Sequence, residues 1–268
     1  MTATLADIDF FAGHTLVIDK PLTWTSFDVV NKIRFALRRF GGIKKIKVGH
    51  AGTLDPLATG VVIVCIGKAT KGIQALMDHD KEYVANIRIG QTTPSSDGET
   101  EVDATFPANH VTRHLVEKTL SESFSGQILQ VPPMHSAIRI DGHRAYEYAR
   151  KGKADQVELQ ARPITIIETE VLSFTPATDD CPTADLTLRV ACSKGTYIRS
   201  LARDLGTALG SGAYLTGLRR TRSGDFSIAE ALTVDEAVDF VAAHVIPLKP
   251  EAAQPKAEPA TSPAPEAR

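Results

Sequence analysis

Apolar positions along this chain follow two periods, one of two residues and one of about 3.6, and the switches between them mark out the elements. Residues 14–19 read as a short strand that ends at Lys20-Pro21. Thr25-Ser26-Phe27-Asp28 has the form of a capping box. Behind it Val30, Ile33, Leu37 and Phe40 share one helical face until Gly41-Gly42 stops the helix. Val61-Val62-Ile63-Val64-Cys65-Ile66 is an unbroken apolar run, the pattern of a buried strand. Residues 81–90 alternate, with Tyr83, Ala85, Ile87 and Ile89 on one face, and 92–100 form a polar turn. Residues 110–124 read as a helix through Val111, Leu115, Val116 and Leu120. Gln130-Val131-Pro132-Pro133-Met134 is extended, because a residue before proline avoids the helical region. A short helix is expected over 146–151, and strands over 157–174 and 184–192, where β-branched residues alternate. A helix over 195–210 turns Ile198, Leu201, Leu205 and Leu209 inward and sets Arg199 and Arg203 one turn apart on another face. A strand over 214–222 carrying Leu218 and a helix over 233–244 complete the series.

Strands and helices intermix without a regular βαβ alternation. The expected class is therefore α+β, a mixed, largely antiparallel sheet flanked by helices. From Pro250 the composition turns to Pro, Ala and Glu, which cannot bury a core. One folded domain is expected over 1–248 and a disordered tail over 249–268.

With 43% hydrophobic and 23% charged residues, the chain has the composition of a globular soluble protein. Cys65, Cys181 and Cys192 are odd in number and show no C-x-x-C spacing, which argues against a disulfide framework or a zinc site and suits a reducing cytoplasm. The N-terminus lacks the basic start and apolar core of a signal peptide, and no apolar run is long enough to cross a bilayer.

The net charge of −2 hides an uneven distribution. No Asp or Glu falls between Val29 and Leu54, while Lys32, Arg34, Arg38, Arg39, Lys44, Lys45 and Lys47 do. A second cluster is Arg139, His143, Arg144, Arg150, Lys151 and Lys153; a third is Arg199, Arg203, Arg219, Arg220 and Arg222. Three such clusters in a nearly neutral chain point to an anionic partner.

The stretch with most chemical content is Gly49-His50-Ala51-Gly52-Thr53-Leu54-Asp55-Pro56-Leu57-Ala58-Thr59-Gly60. It sets one acid, Asp55, in a tight loop at the mouth of the buried strand, and loops on rigid scaffolds carry function. An Asp-Pro turn opener would look the same. If Asp55 acts as a nucleophile or base it must stay ionised where water is partly excluded. A cation, preferably arginine, should then lie beside it.

This loop resembles the catalytic loop of the TruB family of tRNA pseudouridine synthases, G-H-x-G-x-L-D-P-x-A-x-G, and matches it at every specified position. Further segments resemble the family in order: Lys20-Pro21; Lys81-Glu82-Tyr83; Val131-Pro132-Pro133-Met134-His135-Ser136-Ala137; Gly195-Thr196-Tyr197-Ile198-Arg199-Ser200-Leu201; and Leu218-Arg219-Arg220-Thr221-Arg222-Ser223-Gly224. Here His135 stands where the family has Tyr, and Thr92-Thr93-Pro94-Ser95-Ser96-Asp97 stands where many relatives have T-D-T-x-D. Many relatives also carry a C-terminal PUA domain, for which the residues after Thr233 are too few.

The resemblance implies a pseudouridine synthase fold and isomerisation of uridine 55 in the T arm of tRNA, with Asp55 as the catalytic carboxylate. It implies that Arg199 pairs with Asp55, that Tyr83 stacks on the target base, and that Tyr197 and Leu218 pack near it. His50 would take the space of the flipped base, and Lys20 would support the site. Lys32, Arg38, Arg39, Lys44, Lys45 and Lys47 are the expected contacts to the RNA backbone. No cofactor, metal or membrane is expected, and the protein is expected to act as a monomer in the cytoplasm. Two other readings stay open on the residues alone. An RNA-binding module without chemistry has little use for an acid in a basic groove, and a carboxylate hydrolase would want a second carboxylate nearby.

Overall fold

The computed structural model describes residues 7–134, 139–140, 143–144, 148 and 159–247. Its centre is one nine-stranded sheet built around strand β3 (Ala58–Ile66), which is apolar on both faces because both faces are covered. Strand β1 (His14–Lys20) pairs antiparallel with β3, and β2 (Val48–Ala51) pairs with it as well. Beyond β3 the order is β12 (Ala213–Ser223), β4 (Lys81–Ile89), β11 (Ala184–Cys192), β10 (Arg162–Thr175) and β7 (Gly126–Gln130). β12 runs parallel to β3, and the other ladders of this sheet are antiparallel, β13 (Phe226–Ser227) on β12 included. Two small ladders, β5 (Gln91–Thr92) with β6 (Ala104–Thr105) and β8 (Arg139–Ile140) with β9 (His143–Arg144), stand apart. The sheet is mixed and largely antiparallel, as the pattern of the chain implied.

Helix α1 (Ser26–Gly41) begins at the expected capping box, Thr25 with Asp28, and ends at Gly42, whose left-handed φ of 66° lets its N–H reach the Arg38 carbonyl. Val29, Val30, Ile33, Ala36 and Leu37 are buried on it. Phe40, assigned to that face from its spacing, is instead 37% exposed, because the chain turns away at Gly41-Gly42. A short α2 (Ile73–Met77) follows β3, and α3 (Arg113–Ser123) starts at its Thr112 cap, three residues after the start read from the sequence. Helix α4 (Ile198–Ala208) buries Ile198, Leu201 and Leu205, and α5 (Val234–His244) starts from a second capping box, Thr233 with Glu236. Of the expected helix over 146–151 only Tyr148, which is helical, is among the described residues; the tail from 249 and His135 lie outside them.

The backbone is tight where β12 pairs with the start of β3. Gly60 has a φ of 104°, and a Cβ there would lie 2.2 Å from the Arg220 carbonyl oxygen. Only glycine lets the two strands approach this closely at the end of the Asp55 loop.

Candidate active site

The loop between β2 and β3 presents Asp55 to a cleft of about 590 Å³ lined by Thr53, Tyr83, Tyr197, Arg199, Leu218 and Arg220, among others. Four separate elements supply these side chains: the loop, β4, the start of α4, and β12. Leu218 and Arg220 alternate on β12, which directs both toward the same face. Leu218 is registered with Ala58 and Ala85, and Arg220 with Gly60 and Tyr83, so the strand pairing itself brings the loop, Tyr83 and Leu218 together.

Asp55 lies 3.0 Å from Arg199 Nη2, measured to Oδ2, and keeps 46% of its side chain accessible, on the cleft side. Arg199 is buried. The periodicity of α4 had put it on a face away from the core. It is instead enclosed by the turn over 93–97, which covers that side of the helix. Arg199 Nη1 reaches the Ser95 carbonyl at 3.4 Å and Asp97 Oδ2 at 3.5 Å. The polar turn read as a loop is thus largely buried, with Thr93, Ser95, Ser96 and Asp97 all enclosed. Asp97 is held by its own turn: its Oδ1 accepts the Glu99 N–H at 2.9 Å and its carbonyl accepts Thr93 Oγ1 at 2.7 Å. Sequence reasoning missed Asp97. The available signal was that a buried guanidinium offers more donors than one carboxylate can accept.

Burial pushes the Asp55 carboxyl above its usual range, Arg199 pulls it back, and Asp97 and Glu99 push it further up. The lysine behind the loop answers to burial too. Lys20 is fully enclosed, and its ammonium donates to the carbonyls of Trp24 (2.6 Å), Pro21 (3.0 Å) and Pro56 (3.4 Å). Burial lowers it to about 8, with Asp55 opposing. Lys20 therefore ties the residue after Asp55 to the turn after β1 and does not line the cleft.

Tyr83 is 8% exposed, and its phenol is raised by burial, with the charge of Arg220 opposing. Tyr197 caps α4: its N–H donates to Gln130 Oε1 at 2.9 Å and its carbonyl accepts Gln130 Nε2 at 3.2 Å. His50 lies on β2, paired with Val64, outside the cleft lining; burial lowers its imidazole, with Arg220 adding to the effect.

Arg220 is the second functional candidate that pattern reading missed. Counted in a basic cluster, it is among the largest fully buried side chains of the protein. Nε donates to the Val61 carbonyl at 2.7 Å and Nη2 to the Gly52 carbonyl at 3.1 Å, which clamps both ends of the Asp55 loop. Most of the third basic cluster is therefore no solvated anion-binding face, Arg222 alone of the five being exposed. Arg199 and Arg220 point inward, Arg219 pairs with Asp19 at 2.7 Å, and Arg203 with Asp204 at 2.8 Å.

The other expected contacts lie elsewhere. Arg38, Arg39, Lys44, Lys45 and Lys47 are exposed and Lys32 half-buried, along α1 and the segment after it. Lys45 and Lys47 line a separate groove with Lys68 and Lys71. Among the described residues no group of His, Cys, Asp and Glu is arranged to hold a metal ion, and no helix is long and apolar enough to cross a membrane.

Residues 38–198 match the family model described as TruB family pseudouridylate synthase (N terminal domain), and 199–247 match the tRNA pseudouridylate synthase B C-terminal domain. The chain is 52% identical over 244 residues to tRNA pseudouridine synthase B of Parabacteroides distasonis, covering 91% of this chain and 100% of that one. Among solved structures it is similar to a Cbf5-Nop10-Gar1 complex, with 32% identity, a TM-score of 0.63 and 86% of this chain covered. It is similar also to an H/ACA RNP bound to a substrate RNA containing 2'-deoxyuridine, with 31% identity, a TM-score of 0.59 and 86% of this chain covered. The chain spans 55% and 53% of the matched chains in those two structures.

Proposed function

The chain belongs to the TruB family of pseudouridylate synthases, and from that membership we propose that it converts uridine 55 in the T arm of tRNA to pseudouridine. The observation that carries this reading is a carboxylate, Asp55, held at a cleft by a buried arginine, in a chain about half identical to a tRNA pseudouridine synthase B. In the reaction the bond from ribose C1′ to N1 breaks, the uracil turns, and a bond from C1′ to C5 forms. C5 loses a proton and N1 gains one, so nothing is oxidised and the product is an isomer.

Asp55 starts the chemistry on an extruded uridine, and Arg199 keeps it ionised and aimed. Extrusion costs a few kcal/mol of stacking. Tyr83 offers the replacement face, with Leu218 and Tyr197 packing beside it. Lys20 fixes the loop from behind, and His50 fills the space the base leaves. The backbone of the RNA is met by Lys32, Arg38, Arg39, Lys44, Lys45 and Lys47. Residues 1–248 act as one catalytic domain, as a monomer in the cytoplasm, without cofactor or metal.

The test is incubation of an unmodified tRNA transcript with purified protein, followed by mapping of pseudouridine. Modification at position 55 is expected, and folded protein that leaves the T loop unmodified would end the proposal. A T-arm hairpin should serve about as well as full tRNA. A hairpin worse in kcat/KM by about a hundredfold, near 2.7 kcal/mol, would mean that tRNA outside the T arm is read.

A further inference from the structure

One aromatic ring on the helix that packs against the Asp55 loop is left out of the core. Phe27 is the second residue of α1 and is 54% exposed. The residue before it, Ser26, accepts the Leu54 N–H at 2.9 Å, so Phe27 stands beside the loop that carries Asp55. The ring is not loose. The Arg34 guanidinium lies 5.4 Å from its centroid, and Arg34 is itself fixed by donation from Nη2 to the Val48 carbonyl at 2.7 Å. Leu22, 54% exposed, is a second apolar group in a turn that meets the same loop. It sits in the turn that docks on the Asp55 loop through a Thr23 N–H to Pro56 carbonyl bond of 2.8 Å. Thr23 holds a φ of 70°, a conformation non-glycine residues adopt at some cost.

We infer that Phe27, backed by Arg34, is a stacking platform for a nucleobase next to the reacting uridine, an inference that rests on the RNA-modifying reading above. Extruding one base breaks stacking with its neighbours as well, and an aromatic face restores it without regard to sequence. The platform also lies where charge suits a polyanion. Asp28, next to Phe27, is engaged in the capping box with Thr25, and beyond it Lys32, Arg34, Arg38 and Arg39 share α1 with no acid between Val29 and Leu54. A protein partner could cover an apolar ring equally well, but this run of cations favours a nucleic acid strand.

The test measures binding of a T-arm hairpin in the Asp55→Asn background, and turnover in the wild-type background, for Phe27→Ala, Phe27→Leu and Phe27→Trp. The ring is exposed, so the variants should melt close to the parent protein. Phe27→Ala and Phe27→Leu should raise the Kd about tenfold, Phe27→Trp should restore it, and the slope of log Kd against log salt should stay constant because no charge is removed. A 2-aminopurine placed next to the target uridine should be quenched on binding by the parent and by Phe27→Trp, and not by Phe27→Ala. If the wild-type protein leaves the hairpin and the tRNA unmodified, the functional reading itself has failed. If it modifies them and Phe27→Ala binds within about twofold of the parent, the platform alone is overturned. Unchanged RNA affinity with altered sedimentation of the RNA-free variant would assign the ring to a protein contact and overturn it equally.

Discussion

Two clusters of basic residues look alike in the sequence and do opposite things in the fold. Lys32, Arg38, Arg39, Lys44 and Lys45 lie along α1 and the segment after it, none paired with a carboxylate among the described residues, and they keep much of their surface in water. Arg199 and Arg220, from the cluster at the other end of the chain, are enclosed beneath the cleft. There they donate to carboxylates and backbone carbonyls of the Asp55 loop and the turn around Asp97. An exposed cation attracts phosphate at long range and is screened by salt. A buried guanidinium fixes geometry, because leaving its donors or its carboxylate unpaired would cost far more than an exposed pair ever returns. Charge counts alone do not separate the two; burial does.

The sharpest way to break this contrast starts at the group the buried cations serve. Asp55→Asn keeps the shape and removes the charge. Single-turnover rate should fall more than about a thousandfold, while RNA affinity by filter binding stays within about threefold, since binding rests on phosphate contacts elsewhere. Appreciable residual turnover would remove Asp55 from the chemistry. Next in size is Arg199→Lys, which keeps the charge and loses the planar fork that spans Asp55 and Asp97. We expect kcat to drop about a hundredfold with little change in Kd. A loss confined to Kd and salt slope would move Arg199 into the phosphate-binding class and erase the contrast.

The pH dependence gives an intermediate effect. Ionised Asp55 is the proposed active form, and burial raises its carboxyl above the ordinary 3.8, so kcat should fall as pH is lowered through a midpoint above that value. Lys20 should lose its charge above about 8, and with it the charge assistance of the bonds that tie Pro56 to the turn after β1 and hold the Asp55 loop, giving a second, alkaline decline. The stability effect of this lysine has the opposite sign. Its folded value lies below its ordinary 10.5, so between the two the unfolded chain binds more protons and the lysine's contribution to stability rises with pH; below about 8 the folded state carries the whole cost of the buried charge. A single-turnover pH profile alongside thermal unfolding separates the two, and an alkaline decline tracked by unfolding would argue against this role of Lys20.

The smallest expected effects belong to the exposed cluster. Lys32→Gln and Arg38→Gln should each reduce the slope of log Kd against log salt by about 0.7 to 0.9 and leave kcat at saturating RNA unchanged. A change in kcat with an unaltered slope would place these residues with the buried class.

Much of the architecture was legible without coordinates, because it depends on local rules. The capping box at Thr25, the apolar run of β3, the alternation of β4 and the α+β class follow from period, caps and turn chemistry that act over a few residues. The loop around Asp55, with its glycines and lone acid, stood out for the same reason, and similarity to a family supplied Arg199 as its partner. What the sequence could not determine was which polar residues would be enclosed. Asp97 looked like a solvated turn residue and Arg220 like one more surface cation, while Phe40 had the spacing of a core residue and is exposed. Each outcome depends on contacts between segments far apart in the chain: the turn over 93–97 closing on α4, β12 crossing Gly60 beside β3, α1 ending short of the core. Periodicity reports which way a residue points on its own element. Only the packing of elements decides whether water or another segment lies in that direction, and for a charged group that difference separates a screened surface charge from a positioned one.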